Sequence, residues 1–249
     1  MSSGQSSVRL ISTGQAGFIL KSENDQSLGI DLYLSDYVER VEGSMGFKRL
    51  LPKLYLPDEL KTDVLITTHF HADHYDKDSV PVLMKHPNTI LYASECCREM
   101  IKEQKIDHAR VEFVHPGDVH ANGDFEIHFV DCDHGEAAPH AVGVVVCVNG
   151  KIIYEVGDSC FRPDIAERIR EQFSVIDVLI GPINGAYGNM NESELARFAS
   201  IITPGLVIPC HYGMFASHGG NPGKFFDIMN REYPNQRMLL MTQGEELTV

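Results

Sequence analysis

Apolar residues along this chain fall into short runs broken by polar or glycine-bearing stretches, and the period of the pattern changes along its length. Residues 8–12, 17–21 and 28–32 read as β-strands. A charged stretch from Asp36 to about Leu60, carrying Lys48-Arg49 and two prolines, reads as a loop. Residues 63–67 are almost continuously apolar, as expected of a strand covered on both faces. Helical spacing follows over 77–85 and 94–105, with a strand at 88–92 between them.

Gly117 and Gly123 bracket turns around β-like segments that end in 125–130. Residues 141–148 and 151–156 form a predicted hairpin across Asn149-Gly150, a dipeptide suited to two consecutive positive φ angles. Residues 164–172 read as a helix following Pro163, and 175–180 as a strand. Asn191, with Glu194 three residues on, carries the signature of a capping box for a helix through Ile202. A strand at 206–208, a helix at 223–231 and a last strand at 237–241 complete the pattern. Two β-rich segments, each followed by helices, predict a single α/β (α+β) domain over 1–249 in four layers, with helices outside and two sheets inside.

Composition narrows the class. At 249 residues with 43% hydrophobic content, the chain can bury a sizeable core, and no stretch approaches a membrane span. Residues 1–5 lack the charged-then-apolar pattern of an export signal and read as a disordered leader or a cloning remnant. The six cysteines contain no C-x-x-C pair and read as reduced thiols of a cytoplasmic protein; Cys210, beside a candidate ligand, reads as packing. A net charge of −14 disfavours binding along a nucleic-acid backbone. A small anionic substrate stays open, because bound cations reverse the local sign.

The chemistry sits directly after the apolar strand at 63–67, in Thr68-His69-Phe70-His71-Ala72-Asp73-His74. On an extended chain alternate side chains share a face, so His69 and His71 can converge on one cation. Asp73 and His74 arrive as the chain turns and face a neighbouring position. Imidazole nitrogen and carboxylate oxygen are ligands for divalent first-row metals such as Zn or Mn. Further candidates lie at strand ends: Asp158 after Gly157, His211 after Pro209-Cys210, and His134. His140, six residues beyond His134, competes for the same role.

The order His69-x-His71-x-Asp73-His74, then His134, Asp158 and His211, resembles the metallo-β-lactamase superfamily. Residues 29–36 around Asp31, Pro182-Ile183-Asn184-Gly185, Gly188-Asn189-Met190-Asn191 and residues 208–215 resemble its L-ascorbate-6-phosphate lactonase (UlaG-like) family. The resemblance runs from about Arg9 through nearly the whole chain and implies a four-layer αββα metallo-β-lactamase sandwich. It further implies two divalent metal ions, one held by His69, His71 and His134, the other by Asp73, His74 and His211, with Asp158 bridging. His134 is preferred to His140, which abuts an apolar strand and reads as a pocket residue.

On this reading Asp73 and Asp158 are catalytic, and a metal-bound hydroxide opens the lactone of a small phosphorylated sugar acid. Asn184, Asn189, Tyr212, His140, His218 and Arg49 are candidate substrate contacts, Arg49 for a phosphate. Asp31 could orient a ligand imidazole or serve a turn. The expected partner is a small anionic molecule; neither nucleic acid nor membrane is expected, and a homo-oligomer is left open. The rival functions are a phosphodiesterase or nuclease, a di-iron redox protein, for which His71 stands where a carboxylate is expected, and a non-catalytic sensor.

Overall fold

Two mixed sheets, face to face, organise the computed structural model, which describes residues 7–249. The expectation for residues 1–5 lies outside the described residues. The first sheet begins with β1 (Arg9–Gly14), β2 (Gly17–Lys21) and β3 (Ser27–Ile30), which run antiparallel; β4 (Val64–Thr67), β5 (Ile90–Ser94) and β6 (Val111–Val114) continue it in parallel. The second sheet opens with the antiparallel strands β7 (Val119–Asn122), β8 (Phe125–Asp131), β9 (Val142–Val148) and β10 (Lys151–Glu155). To these it adds the parallel strands β11 (Val178–Pro182) and β12 (Leu206–Cys210). The chain then returns to the first sheet as β13 (Glu246–Thr248), antiparallel to β1.

The period of two along each strand sorts side chains between layers. Val64 and Ile66 of β4 enter the space between the sheets, where they meet Phe125, Ile127 and Phe129 of β8 and Val142, Val144 and Val146 of β9. Leu65 points the other way, toward α2 (Val80–Leu83) and α3 (Arg98–Glu103). On the second sheet Val145, Tyr154 and Leu179 face α4 (Pro163–Gln172), α5 (Glu192–Ile202) and α6 (Pro222–Glu232). Each fully buried aliphatic side chain in these layers stabilises the fold by roughly 1.5–3 kcal/mol. The result is helices, sheet, sheet, helices, the layering expected from the sequence.

Local signals were honoured where their chemistry is specific. Asn149 and Gly150 take φ of 49° and 72° in the β9–β10 hairpin, and the capping box of α5 is complete, with Asn191 and Glu194 each satisfying the other's backbone. Elsewhere the structure corrects the reading. The charged loop after Asp36 holds the helix α1 (Tyr37–Glu42) and a 3₁₀ turn at Gly43–Met45; only Val38 of that helix is buried, so no periodic stripe betrayed it. The helices expected at 77–85 and 94–105 shrink to α2 and α3, the latter preceded by a 3₁₀ turn at Glu95–Cys97. The last strand is not 237–241, where only an isolated bridge joins Met238 to Val207, but polar β13 at the sheet edge. All six cysteines are free. No helix among the described residues is long and apolar enough to cross a membrane.

This topology brings the carboxyl ends of β3, β4, β10 and β12 to one rim. The β1–β2 turn and the end of β8 join them there. In open sheets this is where backbone leaves the ladder and side chains can converge.

Candidate metal centre

β4 ends at Thr67, and the chain folds back at once, with the amides of His74 and Tyr75 both donating to the His71 carbonyl. That turn carries Asp73 and His74 round behind His69 and His71. His71 Nδ1 lies 3.0 Å from His69 Nε2 and 3.2 Å from His134 Nε2. One proton can serve only one of those contacts, so the lone pairs of the three rings converge on a common point. Tetrahedral zinc with nitrogen ligands at about 2.0–2.1 Å sets its donors about 3.3–3.4 Å apart, close to this spacing.

The second group adjoins the first. His211 Nε2 lies 3.2 Å from His74 Nε2, 3.3 Å from Asp73 Oδ2 and 3.1 Å from Asp158 Oδ1. The other oxygen of Asp158 lies 3.4 Å from His74 Nε2 and 3.9 Å from His134 Nε2, so this one carboxylate faces both groups. Gly157 makes that approach possible. Its φ is +72°, and a Cβ there would sit 3.0 Å from the Val142 carbonyl and 3.3 Å from Cys132 Sγ.

Electrostatics divide the groups. Burial, reinforced by the charge of His74, pushes His69 well below the usual imidazole range, and the same causes lower His71. Burial takes His134 down to about 4. These rings stay neutral at pH 7, the form that offers a lone pair to a metal. Burial also works against a charge on His211, but Asp158 and Asp73 overcome it and raise that ring to about 9. Burial opposes ionisation of Asp158, yet the charges and hydrogen bonds of His211 and His74 hold it well below the carboxylate range. Against the same burial, His74 is raised by Asp158, Asp73 and Asp31, and Asp73, like Asp158, is held well below the carboxylate range. Neutral His69, His71 and His134 thus stand ready for one cation, while a second would displace the protons that His74 and His211 share with the two carboxylates.

Positions around the centre fix its ligands. Asp31 takes a hydrogen bond from His74 Nδ1 at 2.7 Å and others from the Thr68 amide and hydroxyl, at 2.8 and 2.5 Å. Gln15, at the tip of the β1–β2 turn, was missed by the sequence reading. Its Nε2 donates to Asp73 Oδ2 at 2.8 Å and lies 2.6 Å from His218 Nδ1, while its backbone carbonyl accepts from the His211 backbone amide. Gln15, Asp31 and His211 all have positive φ, of 56°, 46° and 65°. Left-handed backbone at non-glycine residues costs about 1–3 kcal/mol each and concentrates where geometry is imposed by function. Glycines flanking a short turn were the only sequence hint of Gln15.

The candidate substrate contacts separate on inspection. His218 joins the site: its ring centroid lies 4.4 Å from that of His211, and it lines the cleft above the ligands. His140 does not; it is exposed, and its carbonyl accepts from Ser94 Oγ, while His134 takes the place beside His69 and His71. Arg49 is turned away, because its guanidinium donates to the carbonyls of Ser35 and Leu51 and lies over the Tyr33 ring. Tyr212 donates to the Met241 carbonyl and lines a separate cavity behind His211. Asn184 and Asn189 are buried and hydrogen-bond one another at 3.1 Å, and neither lines the cleft.

The cleft has a volume of about 560 Å³. His71, Asp73, His134 and Asp158 form its floor, and Val38, Met45, Phe47, Tyr187 and Phe215 its walls. Glu42 adds a carboxyl whose pKa is raised by burial and by Asp73. None of these wall residues was picked out from the sequence, since they come from three separate segments with no shared period.

The family profile described as "Beta-lactamase superfamily domain" matches residues 9–211. A "UPF0173 metal-dependent hydrolase" from Caldivirga maquilingensis is 26% identical over 189 residues, covering 76% of this chain and 81% of that protein. Igni18, described as a novel metallo hydrolase from the archaeon Ignicoccus hospitalis, superposes with a TM-score of 0.76 at 21% identity, covering 98% of each chain. An isothiocyanate hydrolase from Delia radicum gut bacteria superposes with a TM-score of 0.78 at 17% identity, covering 96% of this chain and 98% of that one.

Proposed function

The chain belongs to the beta-lactamase superfamily and has the metallo-β-lactamase fold, and from that premise we propose that it is a metal-dependent hydrolase with two divalent ions, Zn or Mn. One observation carries the reading. Asp158 presents one oxygen toward His211 and the other toward both His74 and His134, between two convergent donor sets.

His69, His71 and His134 would hold one ion, and Asp73, His74 and His211 the other, with Asp158 shared. When bound, such ions acidify a water and polarise the carbonyl under attack. The remaining work belongs to the chain. Asp31 accepts the Nδ1 proton of His74 and so turns Nε2 toward the site, where a bound cation would displace the proton that the surrounding carboxylates hold on the ring. Gln15 pins one oxygen of Asp73. The aromatic wall formed by Phe47, Tyr187 and Phe215 keeps water from one side of the cleft, which strengthens charge interactions on its floor.

For the bond cleaved, the lactonase resemblance supports an ester or lactone carbonyl. The phosphorylated half of that expectation has less support, because Arg49 is spent on backbone carbonyls and, among the described residues, no lysine or arginine lines the cleft.

The test is hydrolysis of a panel of neutral and phosphorylated lactones, esters and phosphodiesters by metal-loaded and chelator-stripped protein. Turnover of a lactone or ester that vanishes on stripping and returns with Zn or Mn is expected. Equal turnover in stripped protein, or turnover of phosphodiesters alone, would overturn the reading.

A further inference from the structure

The walls of the cleft differ in kind from its floor. Phe47 sits at the centre of an aromatic group, with ring centroids 5.8 Å from Tyr187, 6.2 Å from Phe215 and 5.5 Å from His218. At the mouth, Met45 and Tyr187 stand 63% and 60% exposed, large apolar side chains kept in water beside a buried polar centre. Apolar surface gathered around a concave site, rather than scattered, marks a surface that a ligand covers.

Charge points the same way. Among the described residues, and apart from the floor carboxylates and the imidazoles of His71, His134 and His218, the one Asp, Glu, Lys or Arg side chain lining the cleft is Glu42. Of the cationic side chains nearby, Arg40 pairs with Asp78, Lys53 with Asp36 and Arg49 with carbonyls, while Lys48, beside Phe47, is exposed and does not line the cleft. An anionic substituent placed along this wall, away from the ions that the floor would hold, would meet Glu42 with no lysine or arginine lining to compensate it. It would also lose its hydration to aromatic rings that return nothing to a charge of that sign. An uncharged ring or branched alkyl group faces neither cost and gains from burial at roughly 25 cal/mol per Å².

We infer that the substrate is an uncharged compound that lays an aromatic or branched apolar group against Phe47, Phe215 and Tyr187, and that Glu42 selects against anions. This rests on the hydrolase reading of the same site, and it replaces the phosphorylated sugar expected from the sequence with a neutral, hydrophobic class.

Two readouts separate this inference from the reading beneath it. The first is binding, followed by ligand-observed NMR on metal-free protein. The probes are the non-hydrolysable lactam 3,4-dihydroquinolin-2-one, its 6-carboxylate and its 6-aminomethyl counterpart. The second is kcat/KM of the zinc-loaded protein for 3,4-dihydrocoumarin, its 6-carboxylate and δ-valerolactone.

The neutral lactam should bind at least about tenfold more tightly than the carboxylate, in the range a hydrophobic pocket can discriminate. Dihydrocoumarin should exceed both other lactones by a similar factor. Phe47→Ala should collapse the ratio of dihydrocoumarin to δ-valerolactone, chiefly through KM, and Glu42→Gln should raise the ratio of carboxylate to neutral compound. Ratios within one variant are insensitive to loss of folded protein.

Equal or tighter binding of the carboxylate would overturn the inference, as would tightest binding of the cationic amine. Unchanged ratios in both variants would do the same. The expected binding order with no metal-dependent turnover of any lactone would instead uphold this inference and count against hydrolysis.

Discussion

His74 and Asp31, both fully buried, meet through Nδ1 and Oδ2 at 2.7 Å, and the same carboxylate also accepts from the amide and hydroxyl of Thr68. Asp31 therefore ties the first residue of the metal-site segment to one of its last ligands, and sets which nitrogen of His74 faces the centre. Asp31→Ala should weaken metal binding by about 10–100-fold, the usual cost of losing a carboxylate behind a ligating imidazole. Asp31→Asn, which can still accept from Nδ1, should lose less. Competition against a fluorescent chelator measures both, and an alanine variant of wild-type affinity would show that Asp31 serves only the turn.

Asp158→Asn tests the shared carboxylate. An amide keeps the shape but not the charge that faces His74, His134 and His211. Secondary structure by circular dichroism should be unchanged, while turnover falls by about 100-fold or more, as for other groups acting on developing charge. Wild-type turnover at saturating metal would remove Asp158 from that role.

Much of this centre was legible because its ligands crowd into residues 69–74 behind a strand that reads plainly. The residues favoured His134 over His140 only through the apolar strand that His140 abuts, since both precede β9; the structure separates them by burying one and exposing the other. Gln15 was hidden because its partners, Asp73, His211 and His218, are distant in sequence and depend on the β1–β2 turn reaching the rim. Arg49 misled for a related reason. A basic pair looks the same in sequence whether it faces solvent, binds a phosphate, or is consumed by carbonyls as here. The helix at Tyr37–Glu42 and the aromatic wall escaped because neither has a periodic apolar stripe.

Stability should depend on pH through Glu192, remote from the metal ligands. Burial opposes its ionisation, but hydrogen bonds from Lys224 and from the Asn221 amide outweigh this and lower its pKa. A depressed carboxylate adds stability that is fully present above its unfolded value, near 4.5, and is lost as pH falls through the lower folded value. Glu192→Gln should thus cost about 1 kcal/mol at pH 7, typical of a charged hydrogen bond with an exposed partner. Urea titrations of both proteins at pH 7 and pH 3 provide the check. A gap that is equal at both pH values would show that the carboxylate charge contributes nothing.

The central claim is that two donor sets share Asp158 and together hold two metals. Metal content per chain, measured by elemental analysis after reconstitution and paired with activity, tests it most directly. Wild-type protein should hold two equivalents, and His71→Ala should lose tight binding at the set it shares with His69 and His134, together with hydrolysis. Full metal content and full activity in His71→Ala, or an active wild-type protein with no metal, would contradict the account.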